Sequence, residues 1–349
     1  TLIIVAVFFI PVYLKNKIYT MPQFLNQRYN SKVAMIMAVF WLLLYVGVNL
    51  TSILYLGALA INSISGINLT LCMGLLALFA IFITLGGMKV IGYTDVIQVF
   101  FLILGGLITT YLALDLVAEK FGGNGMLQGF GFLQNKAQDH FQMILPQENK
   151  YFMDLPGLTV LLGGMWIVNL NYWGCNQYIT QRALGAKLET ARKGILFAGF
   201  MKLFMPVIVM LPGIAAFVLY KNGQLPGFEG GKDGAYSAIL AFLPDGLKGL
   251  AIAALTAAIV ASLAGKANSI STIFTLDIYK KYINKDADEK KMVWTGRLTV
   301  LVSMIVAVIF TWQDLLGIGG EGGFTFIQKY TGFISPGVFA MFMLGFFWK

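Results

Sequence analysis

Residues 157–182 read GLTVLLGGMWIVNLNYWGCNQYITQR. The first half is apolar enough to enter a bilayer. The second half is not, because Asn169, Asn171, Asn176 and Gln177 crowd around Tyr172, Trp173 and Gly174. An unpaired amide in hydrocarbon costs several kcal/mol, so these groups must face protein, water or a ligand. An apolar segment interrupted by glycine and polar residues points to a solute-binding site. Asn169, Tyr172, Trp173 and Asn176 follow i, i+3, i+4, i+7 and would share one face of a continuous helix. That face combines amide donors and acceptors with two aromatic rings, which suits a sugar: hydroxyls take hydrogen bonds and the C–H face packs on a ring. A polar seam between helices accounts equally well for Asn176 and Gln177.

The rest of the chain has the same character. Of 349 residues, 58% are hydrophobic and 12% charged, about half the charge of a soluble domain. The fold class is therefore an all-α polytopic membrane protein. Cys72 and Cys175 lie in apolar segments and offer neither a disulfide framework nor a metal spacing. The single histidine, His140, falls in a polar stretch. No nucleophile–base pair, metal cluster or phosphate loop is present, so an enzyme is not expected and no cofactor is implied. A channel would need a repeated filter or a ring of like charge, and neither is seen. The formal charge of +9 sits on residues that flank apolar segments, which fits membrane orientation better than nucleic acid.

Working outward, about nine membrane segments are expected: 1–14, 33–60, 68–86, 95–118, the stretch from 157, 194–220, 246–279, 293–312 and 324–348. Polar connections lie at 15–32, 119–155 and 221–245, with a surface helix at 235–242 and a glycine-rich link at 317–323. The first apolar run has 14 residues where a span needs about 20. The chain also stops directly after a span, so it is expected to be a fragment of a longer protein. The links at 15–32, 89, 182–193 and 280–297, with Lys349, hold 16 Lys and Arg, against seven on the opposite side. The positive-inside rule places the first set in the cytoplasm, in a multi-pass protein of the cell membrane.

Lys202 and Lys266 fall inside spans. A lysine at bilayer depth costs about 2.5–3.5 kcal/mol and normally turns to the protein interior. Lys202 either snorkels to the cytoplasmic face or donates to a ligand or to the polar groups of 157–182. Asn49 and Gln328 are further amides within spans, each as well suited to interhelical contact as to a ligand. In TAAIVASLAGKANS, Ala258, Ala261 and Ser262 precede Lys266. A carbonyl and a hydroxyl at i and i+4 can form part of a cage for a hard cation such as sodium. A serine that back-bonds its own helix is the commoner arrangement.

The chain resembles the sodium/glucose cotransporter branch of the solute:sodium symporter family. The resemblance covers essentially all residues and rests on IYTMPQFLNQRYN (18–30), VNLTSILYLG (48–57), GGMKVIGYTDVIQ (86–98), NYWGCNQYITQR (171–182), KLFMPVIVMLPGIAA (202–216), ANSISTIFTLDIYKKY (267–282) and FIQKYTGFISPG (326–337). It implies a five-plus-five inverted repeat with broken helices, one transmembrane transporter domain over 1–349, and sodium-coupled sugar symport by alternating access. Its partners would be a small sugar, sodium and the lipid bilayer. Asn49, Asn169, Lys202 and Gln328 would bond the sugar. Tyr172 would cover it as an inner gate, with Trp173 beside it. Other solutes of the family are inositol, organic acids, amino acids and sialic acid; proton coupling and a non-transporting sugar sensor remain as alternatives.

The resemblance also matches Asp95 to a carboxylate on the sodium exit route, where it could equally be a helix N-cap paired with a nearby base. The sodium site carries over in part. Ala258 would supply a carbonyl and Ser262 a hydroxyl, but Ala261 replaces a family serine. Lys266 lies one turn beyond Ser262. A fixed charge about 6 Å from sodium would repel it by roughly 2–3 kcal/mol at an effective dielectric of 20. Lys266 is therefore a candidate modifier of ion coupling, although a lysine pointing into a hydrated inner vestibule is the simpler account.

Overall fold

The computed structural model describes residues 1–149, 152, 157–225, 228, 234–315, 317–318 and 323–348. Among the described residues, apart from two short 3-10 turns, thirteen helices follow in the order α1 Leu2–Lys15, α2 Met21–Arg28, α3 Ser31–Ser65, α4 Leu69–Leu85, α5 Gly87–Lys120, α6 Gly125–Lys136, α7 157–175, α8 Gln177–Leu184, α9 Leu188–Lys221, α10 Ala235–Ala241, α11 Gly246–Ile283, α12 Glu289–Thr311 and α13 Gly323–Phe347. Among the described residues there is no strand. Six of these helices, α3, α5, α9, α11, α12 and α13, are long and apolar enough to cross a bilayer, and α1 and α4 are shorter apolar helices. The protein is thus an integral membrane protein. Lys150, Lys232 and Lys349 and most of the link 317–323 lie outside the described residues.

Helix starts follow local chemistry. Thr20 accepts from the Gln23 amide (3.2 Å) while Gln23 Oε1 accepts from the Tyr19 amide (2.9 Å), a capping-box arrangement with Pro22 in the first turn of α2. Asn30, Asn68 and Asp288 cap α3, α4 and α12 through a side-chain oxygen that accepts from a backbone amide of the first turn. The chain turns from α4 into α5 at Gly87, whose φ of +77° suits glycine. As a result α5 begins well before residue 95, and Lys89 and the Tyr93–Asp95 stretch belong to the helix rather than to a short interface.

Several helices contain wide π turns, at Val5–Phe9, Leu44–Leu50, Asn171–Cys175 and Phe274–Ile283. Such turns concentrate at functional sites because they free backbone groups and re-aim side chains. No periodicity in the sequence announces them.

An aromatic core ties α1, α2, α3 and α13 together. Tyr13 meets Phe24 edge-on at 5.5 Å, Phe24 stacks on Phe342 at 5.1 Å, and Trp41 tilts against Phe342 at 6.1 Å. A second apolar cluster, with Leu114, Val117, Leu133, Ala215 and Leu219, joins α5, α6 and α9. The interrupted pair α7–α8 packs against the first cluster through Leu170, Trp173 and Cys175.

Candidate functional site

The interruption falls at Asn176, whose backbone is extended (φ −95°, ψ 121°). Its side chain caps α8, accepting from the Tyr178 amide at 3.1 Å and from the Tyr45 hydroxyl at 2.6 Å. The helical face expected to run from Asn169 through Asn176 therefore ends before Asn176, because the π turn and the extended residue rotate it out of register. Gln177 is fully buried. It accepts from the Met21 amide (2.7 Å) and donates to the Tyr19 carbonyl (3.1 Å). Both amides thus serve the seam between α8, α3 and the start of α2.

Tyr13 completes the brace by donating to the Gly174 carbonyl at 2.7 Å, a group that the break leaves without a helical partner. Glycine is needed at 174: a Cβ there would sit 2.7 Å from the Phe9 ring.

Tyr172 and Trp173 project from the π turn with rings edge-to-face at 5.3 Å. The Lys202 ammonium lies over the Trp173 ring at 4.9 Å, so this lysine turns toward α7. Lys202 is the last residue before the α-helical ladder of α9 lapses at Leu203–Phe204. Pro206 has no N–H to return to the Lys202 carbonyl, which accounts for the lapse. Asn171 donates to Ser335 Oγ at 3.0 Å and joins α7 to α13. Asn169 donates to the Met165 carbonyl of its own helix at 2.8 Å. Asn49 lies half-buried in the π turn of α3, and Gln328 is exposed on α13.

A cavity of about 570 Å³ opens beside the break. Its walls include Trp173, Tyr178, Asp95, Arg182, Ala258, Ala261 and Ser262. Trp173, Asp95 and the three candidate sodium positions are thereby brought together, whereas Asn49, Asn169, Tyr172, Lys202 and Gln328 do not line this space. The Ser262 hydroxyl donates to the Ala258 carbonyl at 3.0 Å, so the two oxygens are adjacent on the cavity side. This is the back-bonded arrangement, and a cation would have to break it to use both.

Asp95 sits within α5 and is no N-cap. Its Oδ2 accepts from Arg182 Nε (3.1 Å) and Nη2 (2.9 Å), while Arg182 Nη1 donates to the Tyr178 carbonyl at 3.0 Å. The buried Oδ1 of Asp95 has no hydrogen-bond partner among the described residues. Lys266 is 4% exposed and does not line the cavity. The vestibule account of it therefore fails: its ammonium is packed between the Tyr45 and Tyr178 rings, 4.3 Å from each.

Sequence reasoning missed Arg182, Tyr45, Tyr178 and Tyr13. Arg182 had a usable signal, since an aspartate near an apolar run calls for a base. The tyrosines had none, because a buried ring reads as ordinary core.

The family model described as Sodium:solute symporter family matches residues 1–349. A sodium/glucose cotransporter of Vibrio parahaemolyticus is 48% identical over 362 residues, covering 100% of this chain and 66% of that protein. Sodium/myo-inositol cotransporter 2 of Homo sapiens is 31% identical, covering 100% of this chain and 54% of the relative. Sodium/glucose cotransporter 1 of Ovis aries is 30% identical, covering 98% and 55%. The chain thus spans between about half and two thirds of the curated relatives it matches. A solved structure of a Na+-coupled sialic acid symporter, substrate-bound and outward-open, aligns with TM-score 0.82 at 22% identity, over 99% of this chain and 70% of that one. The two share a transporter fold.

Proposed function

The chain belongs to the sodium:solute symporter family, and from that premise we propose that it forms the transport core of a sodium-coupled sugar symporter. The observation that carries this reading is the helix broken at Asn176, with Trp173 at the break lying between the Lys202 ammonium and the cavity. The cavity beside the break, about 570 Å³, is within the range of about 300–1,000 Å³ typical of small-molecule sites; it is lined by Trp173 and the three sodium positions and not by the other sugar-contact residues, so it supports a solute path next to the break rather than the sugar subsite itself. Identity of 48% to a protein named for sodium and glucose favours a glucose-like sugar over other solutes.

The mechanism proposed is alternating access within a single domain over residues 1–349, with nine membrane segments in the cell membrane and the basic links on the cytoplasmic side. Asn49, Asn169, Lys202 and Gln328 bond the sugar hydroxyls. Tyr172 and Trp173 pack on its apolar face and close the inner side. Sodium occupies the turn of Ala258, Ala261 and Ser262 and leaves past Asp95. Each ligand shifts the population between outward and inward states by its differential affinity for them. Nothing in this cycle needs covalent chemistry. Similarity to inositol cotransporters, at 31% identity, makes myo-inositol the second substrate to test.

The test is radiolabelled hexose uptake by the native protein in proteoliposomes, with unlabelled myo-inositol as competitor. Saturable uptake, with KM raised about tenfold or more by Trp173→Ala, is expected. No uptake of either solute would overturn the sugar reading.

A further inference from the structure

Lys266 is the part of this site that the symport reading does not absorb. It lies on α11 at the fourth residue after Ser262 and the eighth after Ala258, on the same helical face. Lys266 is thus one helical turn beyond Ser262, and its ammonium reaches the Tyr45 and Tyr178 rings. Among the described residues no carboxylate pairs with its ammonium. The neighbouring charges do not neutralise it. Arg182 is itself a cation, packed on the same Tyr178 ring at 4.6 Å, and its carboxylate partner Asp95 is already engaged.

Two aromatic faces hold the lysine instead. Tyr45 comes from the π turn of α3 and Tyr178 from the first turn of α8. A desolvated cation over such faces gains about 2 kcal/mol or more, enough to matter against the cost of burial. Both tyrosines also contact Asn176, one through its hydroxyl and the other through its backbone amide. The ammonium is thus fixed at the helix break by three elements, beside a turn in which Ala261 supplies no side-chain oxygen.

We propose that Lys266, clamped between Tyr45 and Tyr178, is a built-in cation that weakens sodium binding at the Ala258–Ser262 turn and ties α8 to α3 and α11 without the ion. This rests on the symport reading for the location of the sodium site. Its consequence is a transporter with a far lower dependence on sodium than its relatives' names imply. The chemistry is a protonated amine one helical turn from the ion site: in that form it disfavours a second cation and supplies the cohesion between helices that a bound ion would give.

The experiment is a sodium titration of the purified native protein at constant ionic strength, with choline as replacement, read by thermal stabilisation and needing no sugar. Lys266→Met keeps most of the side-chain length and removes the charge. It is expected to lower the half-saturating sodium concentration about tenfold or more. Lys266→Met combined with Ala261→Ser should lower it further. Lys266→Arg, which keeps the charge and the ring contacts, should retain the weak response. Should Lys266→Met fold poorly, Lys266→Gln serves the same purpose. Equal half-saturating sodium in wild type and the neutral variants, or no sodium response in any of them, would overturn the proposal. Because the readout is independent of hexose, failure of sugar uptake is a separate result.

Discussion

The two halves of the broken helix are built to different standards. Below the break, nearly every polar side chain of α8 is engaged. Gln177 bonds the backbone at 19 and 21, Gln181 reaches Thr272 on α11, and Arg182 holds Asp95 on α5. Above it, residues 158–173 include no fully buried residue, and the hydrogen bonds of Asn169 and Asn171 are one to their own helix and one to Ser335. The lesson is a division of labour. The half after the break is anchored by many specific bonds across the fold, while the half before it makes few.

The contrast is most severely tested at Gln177. Leucine there would leave the Met21 amide and the Tyr19 carbonyl without partners in a buried seam. A loss of about 2–4 kcal/mol is expected from two orphaned groups, measured as the unfolding midpoint of the purified protein. A neutral outcome would mean that the seam is not what holds α8. Gly174→Ala comes next. Its Cβ would meet the Phe9 ring at 2.7 Å, and overpacking of this kind costs about 1–3 kcal/mol. Phe9→Leu in the same chain should recover part of it, and absence of recovery would place the strain elsewhere.

Arg182→Met removes the base from a carboxylate that is itself only 22% exposed. A double-mutant cycle with Asp95→Asn should return a coupling of about 1 kcal/mol, since the pair is partly solvated. Additive effects would show the two residues acting independently. The smallest effect on stability belongs to the half before the break. Asn169→Ala should change the unfolding midpoint by no more than about 0.5 kcal/mol while raising the KM for hexose. A large stability loss there would erase the distinction between the halves.

Much of the fold was legible because a bilayer imposes coarse rules. Long apolar runs became α3, α11, α12 and α13 close to their expected limits, while the caps at Asn30, Asn68 and Asp288 came only from the structure. The interruption was legible from its amides. That Asn176 and Gln177 serve the seam, and that none of the four amides lines the cavity, was not, since periodicity assumes an unbroken helix and the π turn at Asn171–Cys175 violates it. Lys266 was noticed as an oddity of charge, but its environment depends on Tyr45, more than two hundred residues away in sequence.

By itself, then, the sequence determined that this is a helical membrane protein and that one apolar stretch is interrupted by polar residues. Those facts follow from local composition, because each apolar stretch and its interruption is specified by neighbouring residues. Tertiary structure alone decided that Gln177 braces rather than binds, that Arg182 belongs to Asp95, and that Lys266 is held by two rings instead of water. Each of these is a pairing between distant segments, and a buried charge or amide is defined by the partner that packing brings to it.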